Sequence, residues 1–244
     1  LLTVPLHLAI PAGRYGDRSG GGAPERPHLA QSRPDRLLAG SLYALIVTLT
    51  NVLNSGMSAH MIGILGGLGL AASVAVWVAT LRGIGQSSAR LCEVLFGGRL
   101  DPLTLNLLAA LALPVCFAAG LFSGRLLAAA IAFALIYGAG NGILTITRGT
   151  LPLVLFDHRT YGTLVGRLLV PSFLLSAIAP LGFALVIERL GEAGALVLSI
   201  LIALTTLGAA LALRLRFCGQ AALSPARRRA SGRGPGGAGP ACRG

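Results

Sequence analysis

Runs of uncharged residues of nearly equal length divide most of this chain. There are 23 between Asp101 and Arg125, 22 between Arg125 and Arg148, 20 between Arg167 and Glu188, and 21 between Glu192 and Arg214. A helix crossing a hydrocarbon core of about 30 Å needs about 20 apolar residues, because each residue advances it 1.5 Å. Each run therefore predicts one spanning helix. The 45 residues between Arg36 and Arg82 are too many for a single crossing. Glycine-rich sequence favours a turn, so GILGGLG at 63–69 divides them. One helix then covers about 41–61, and the next starts near Leu70 and continues past Arg82 towards Arg90. The expected fold is an all-α membrane protein with six transmembrane helices, whose backbone groups are satisfied internally.

Composition agrees with the pattern. Hydrophobic residues make up 54% of the chain and charged residues 11%, against roughly 25% charged in a soluble domain. That excludes an ordinary water-soluble fold. The net charge of +12 comes from 20 basic residues, all arginine, set against 8 acids. Five arginines precede residue 37 and seven follow residue 213. The basic character thus flanks an almost neutral body, which argues against a nucleic-acid partner.

Between the ends, arginine-rich and arginine-poor connections alternate. Arg90 and Arg99 share one loop, Arg125 stands alone, Arg148 and Arg159 share the next, and Arg189 stands alone. By the positive-inside rule both termini face the cytoplasm, in a cytoplasmic (inner or plasma) membrane. Residues 13–36, rich in Gly, Pro and charge, read as a flexible cytoplasmic linker. Residues 37–216 read as the six-helix bundle, and 217–244 as a disordered basic tail. Arg227, Arg228 and Arg229 in that tail can touch anionic membrane lipid, at about 1 kcal/mol each near the surface. LLTVPLHLAI is too short to cross a bilayer and lacks the basic start of a signal peptide. Residues 1–12 are therefore expected to be the remnant of a preceding transmembrane helix.

The six expected helices differ in polarity. The third and sixth are nearly pure Leu, Ala and Val. The first carries Asn51, Asn54, Ser55, Ser58 and His60, and the fourth carries Tyr137, Asn141, Thr145 and Thr147. The second holds Arg82 and Gln86; the fifth holds Arg167, Ser172, Ser176, Pro171 and Pro180. Helices three apart share a character, as in two three-helix units related by inverted symmetry. Apolar members are expected to face lipid and polar members protein or a water-filled cavity.

Arg82 is the sharpest single signal. An arginine at mid-bilayer costs about 2.5–3.5 kcal/mol even on the lenient insertion scale, so it needs a counter-charge, a carbonyl cage or water. Arg82, Gln86, Arg90 and Glu93 follow helical spacing and share one face. Arg90 and Glu93 can pair at the cytoplasmic end, with Arg99 and Asp101 beyond them. Arg167 is expected to snorkel. The pairs Gly63/Gly67, Gly138/Gly142 and Gly162/Gly166 permit close helix contact. Cys92, Cys116, Cys218 and Cys242 have no metal-type spacing and read as free thiols. Neither metal nor cofactor is indicated.

ARLCEVLFGGRLDP (89–102) resembles the loop after the second helix of each half in the major facilitator superfamily of transporters, a pattern close to G-x-x-x-D-R-x-G-R-R. Ala89 stands at the first glycine, Glu93 at the aspartate, and Gly97, Gly98 and Arg99 at the closing turn. Val94 replaces the arginine, and the spacing to the glycine is one residue longer. The resemblance covers roughly 37–214 and implies the carboxyl-terminal six-helix half, its partner being a missing amino-terminal six-helix half. It implies a secondary active transporter working by alternating access on a small-molecule substrate, with Arg82 favouring an anionic one. Asn51, Asn54 and Asn141 would then line the substrate cavity with Arg82 and Gln86, and Arg90, Glu93 and Arg99 would form a cytoplasmic gate.

Two other classes compete with a carrier. One is a truncated or non-transporting membrane partner protein. The other is an intramembrane enzyme built on Ser58, for which His60 lies two residues away and His158 on the opposite side. A catalytic base has to lie within about 3 Å of the serine, and the scattered acids offer no metal site.

Overall fold

A computed structural model describes residues 29, 30, 32–96, 101–156 and 161–231. Its regular structure is helical throughout: α1 (Arg33–Gly67), α2 (Ala72–Phe96), α3 (Pro102–Gly120), α4 (Leu127–Leu155) and α5 (Tyr161–Ser231). α1, α3, α4 and the stretch Val165–Phe217 of α5 are long and apolar enough to cross a membrane, the character of an integral membrane protein. α2 is not among them; Arg82, Gln86, Ser87, Ser88, Arg90 and Glu93 dilute its apolar sequence.

Local chemistry fixes the helix starts. Ser32 is extended, its Oγ accepts from the Asp35 amide at 3.2 Å, and proline opens the first turn. Asp101 repeats the device on α3, its Oδ2 accepting from the Thr104 amide at 3.1 Å ahead of Pro102. Such caps satisfy amides that have no partner inside the helix and are worth about 1 kcal/mol each. Residues 33–36, assigned above to the linker, are therefore the first turn of α1. At its other end α1 does not stop at residue 61. It runs through Gly63 and Gly66 to Gly67, and the chain turns at Gly69, where φ is 111°. Only the last glycine of the cluster has a backbone that requires one.

The expected fifth and sixth helices form one element broken at Gly191, whose φ of 72° and ψ of −179° are non-helical. The first limb (161–190) runs beside α1 in the same direction. Asn51 Nδ2 donates to Ser172 Oγ at 2.6 Å, and His60 Nε2 meets the Pro180 carbonyl at 2.9 Å. The second limb (192–231) returns along α1. Glu192 packs on Gly67 at one end, and Arg216 reaches Asp35 at 2.9 Å at the other. The chain thus reverses at one glycine without a loop. Gly191→Val should lower stability by about 1–3 kcal/mol, because a branched side chain cannot adopt that backbone without strain; thermal unfolding in detergent would measure it. The helix also continues to Ser231, past residue 217 where a disordered tail is expected. Alanine and arginine there are good helix formers. Residues 1–28, which hold the expected remnant helix and most of the linker, lie outside the described residues, as do 232–244.

α2 and α4 also run parallel, closely apposed through glycines. A side chain at Gly138 would strike the Arg82 carbonyl, and one at Gly142 the Gln86 carbonyl at 2.7 Å; Gly85 likewise faces the Leu135 carbonyl. Gly63 and Gly166 face open space, whereas the pair Gly138/Gly142 brings backbones together. α3 packs on α4 and α5, with Gly120 between Phe133 and Leu196. Phe117, Phe133 and Tyr137 form a buried aromatic knot with centroids 5.3–6.1 Å apart. Contrary to a purely lipid-facing role, α3 buries Asn106, whose Oδ1 accepts from Thr147 Oγ1 at 3.2 Å. Finally, the Leu29 and Ala30 amides donate at 3.1 Å to the carbonyls of Val154 and Leu155, which end α4.

Candidate functional site

Four helical segments bring polar side chains to a common level: 51–58 of α1, 82–86 of α2, 137–148 of α4 and 172–176 of the first limb. Arg82 lies ten residues into α2, about 15 Å along its axis. Its Nη2 donates to Asn54 Oδ1 at 2.6 Å and to Ser58 Oγ at 3.0 Å. Its guanidinium lies over the ring of Tyr137, 5.2 Å from the centroid. Tyr137 is fixed in turn by its hydroxyl, which donates to the Leu53 carbonyl at 3.2 Å, and by the aromatic knot behind it.

The magnitudes explain how an arginine is held here. A hydrogen bond to a charged group is worth about 1.5–3 kcal/mol and a desolvated cation–π contact about 2 kcal/mol. Together they offset an insertion cost of about 2.5–3.5 kcal/mol. The cage is therefore made of amide, hydroxyl and ring, with no counter-charge. Among the described residues the one ion pair is Arg216–Asp35, far along α1 from this site.

Asn54 is the hub. Its Oδ1 also accepts from Asn141 Nδ2 at 3.0 Å, so one amide oxygen ties α1, α2 and α4. One turn earlier on α1, Asn51 donates to Ser172 and accepts from Arg148 Nη1 at 3.4 Å. Arg148 lies 5.6 Å from the Phe173 ring centroid, and its carbonyl accepts from the Tyr43 hydroxyl at 2.8 Å. Arg82 and Arg148 are both half-buried, while Ser58 and Thr145 beside them are exposed, so the polar face is open along one side. The arrangement suits coordination of an anion by guanidinium and amide donors.

Of the expected cavity residues, Arg82, Asn54 and Asn141 are directly joined, and Asn51 sits one turn away. Gln86 does not join them; it packs its stem against Gly142 of α4. Of the expected gate, Arg90 is exposed and Glu93 half-buried, and no ion pair links them among the described residues. An exposed pair is worth about 0–1 kcal/mol, too little to hold two long side chains together. Arg99 lies outside the described residues. Ser58 and His60 do not meet as a serine–base pair: the hydroxyl accepts from Arg82 and the imidazole turns to the Pro180 carbonyl. Among the described residues no group of His, Cys, Asp and Glu could hold a metal ion, and Cys92 and Cys116 are free thiols.

The omission in the sequence reading is Arg148. Arg148 ends an uncharged run and so reads as a loop residue, yet α4 continues to Leu155. The apolar stretch LPLVLF at 151–156 was the available signal. No family model, curated protein or solved structure matches the chain.

Proposed function

We propose that the chain is a six-helix half of a secondary active transporter of the major facilitator type, moving a small anionic solute by alternating access. The observation that carries this reading is Arg82, inside α2 and caged by neutral partners alone on a polar face shared by α1, α2, α4 and the first limb. A membrane protein with a purely structural core has little reason to retain such a group, and intramembrane ionisable residues mark solute pathways by default.

The helix pairing supports the same reading. With the break at Gly191 counted there are six helical rods, and two parallel pairs stand out among them: α1 with the first limb, and α2 with α4. Two three-helix units of opposite orientation produce this exchange, the first helix of each pairing with the second of the other. In this reading both termini face the cytoplasm and the open polar face looks towards an amino-terminal half. The loop carrying Arg90, Glu93 and Arg99 lies at the cytoplasmic mouth.

The test is solute flux across vesicles carrying the complete gene product, against a panel of organic anions, organic cations and neutral drugs. Saturable flux selective for anions is expected. Absence of flux for every solute would favour a non-transporting membrane partner, and charge-indifferent flux would remove Arg82 from the pathway.

A further inference from the structure

We infer that Arg82 and Arg148 form a two-ended site for a short organic dicarboxylate, one carboxylate on each guanidinium across the Asn51–Asn54 turn of α1. The transport role of such a site rests on the carrier reading above; its binding chemistry does not.

The two arginines are built alike. Each sits over an aromatic face, Arg82 on Tyr137 at 5.2 Å and Arg148 on Phe173 at 5.6 Å. Each is anchored through one terminal nitrogen to an asparagine Oδ1, Asn54 at 2.6 Å and Asn51 at 3.4 Å. Those two asparagines are three residues apart on one helix, a rise of about 4.5 Å, and the arginines approach them from different helices, α2 and α4. The two guanidinium groups are thus anchored one turn apart on α1, each steadied by a ring and an amide.

Neither is neutralised by a carboxylate among the described residues. Guanidinium carries five N–H donors in a fixed fork. Among the described residues the bonds to protein engage Nη2 of Arg82 and Nη1 of Arg148, and Nε and the other terminal nitrogen of each face a ligand. Guanidinium matches carboxylate in a planar two-point contact. Two positive charges anchored one turn apart on α1 favour a ligand bearing two negative charges over one bearing a single charge. Because the arginines stand on separate helices with separate anchors, two anionic groups joined by a short apolar spacer fit them better than one tetrahedral anion. Such an anion would have to draw at least one arginine off its asparagine.

The experiment is equilibrium binding of succinate, butyrate and inorganic phosphate to the complete gene product in detergent. Succinate is expected to bind at least about tenfold tighter than butyrate, the loss of one charge-assisted contact. Arg148→Gln should bring succinate down to the butyrate level, with butyrate binding changing far less than succinate binding. Arg148→Lys should keep part of the preference. Equal binding of succinate and butyrate, tighter binding of phosphate than succinate, or unchanged succinate binding in Arg148→Gln would each overturn the site. If Arg148→Gln loses butyrate as well, Arg148→Lys decides: a retained preference for succinate supports the site, and its loss overturns it. Succinate binding without flux in vesicles would sink the carrier reading and leave the site standing. Anion-selective flux with no preference for the dicarboxylate would do the opposite.

Discussion

Asn54→Asp should leave the helix bundle folded and weaken anion binding at least about tenfold. Asparagine and aspartate have the same shape, and the Oδ1 of Asn54 is used purely as an acceptor, from Arg82 Nη2 and Asn141 Nδ2. A carboxylate can take both bonds and adds a counter-charge at the guanidinium. Thermal unfolding in detergent should therefore be unchanged or raised, while an incoming anion now meets an arginine that is already neutralised. Affinity should fall at least about tenfold and towards hundredfold, since charged hydrogen bonds of about 1.5–3 kcal/mol are surrendered. Two companion variants separate charge from packing. Asn54→Leu should cost about 2–3 kcal/mol of stability, because it strands the Asn141 amide and leaves Arg82 only the Ser58 hydroxyl and the Tyr137 ring. Arg82→Ala should weaken anion binding at least about tenfold at little cost in stability, because the insertion penalty of about 2.5–3.5 kcal/mol goes with the side chain. Anion flux at wild-type rate and affinity in Asn54→Asp or Arg82→Ala would remove the guanidinium from the solute pathway.

Gly138→Val is the second large effect, and it acts through backbone. A side chain there meets the Arg82 carbonyl, and the neighbouring Gly142 is close to that of Gln86. A carbonyl in a helix cannot move by itself, so α2 has to withdraw from α4. Overpacking of a well-filled contact costs about 1–3 kcal/mol, and backbone is less forgiving than a side chain. The same withdrawal draws Arg82 off Asn54 and Tyr137, so anion binding should be lost together with stability. Gly208→Ala and Gly63→Ala give the contrast, since both glycines face open space. They should be neutral or stabilising by up to about 1 kcal/mol, the helix propensity gained over glycine. Unfolding midpoints of the three variants side by side check the ranking.

How much of this could be read from the chain follows the physics of each feature. Apolar runs long enough to cross a bilayer announce themselves, because hydrophobic length is a property of sequence alone. Arg82 was legible for the complementary reason: a charge inside such a run is costly wherever its partners lie. Asn54 and Asn141 could be placed with it through the shared polarity of their helices, but not the single oxygen that joins all three. Arg148 was hidden by the same counting that revealed the spans, since an arginine inside a helix and one in a loop interrupt a run identically. Gln86 shares its helix face with Arg82, yet the tight glycine contact beside it turns it to packing. The pairing of Arg90 with Glu93 follows from spacing, but spacing offers no energy to hold an exposed pair. Gly191 looks like any glycine in a turn, and only its backbone angles reveal a reversal made by one residue.

The tether at the close of α4 has a mechanical meaning. The carbonyls of Val154 and Leu155 lie beyond the last intrahelical donors, and the amides of Leu29 and Ala30 take their place. The strand of chain leading into α1 is thereby stapled to the helix that bears Arg148. Any tilt of that helix must drag its leash along or snap two bonds worth about 0.5–1.5 kcal/mol apiece. A pull applied upstream of residue 29 is thus felt at the far guanidinium.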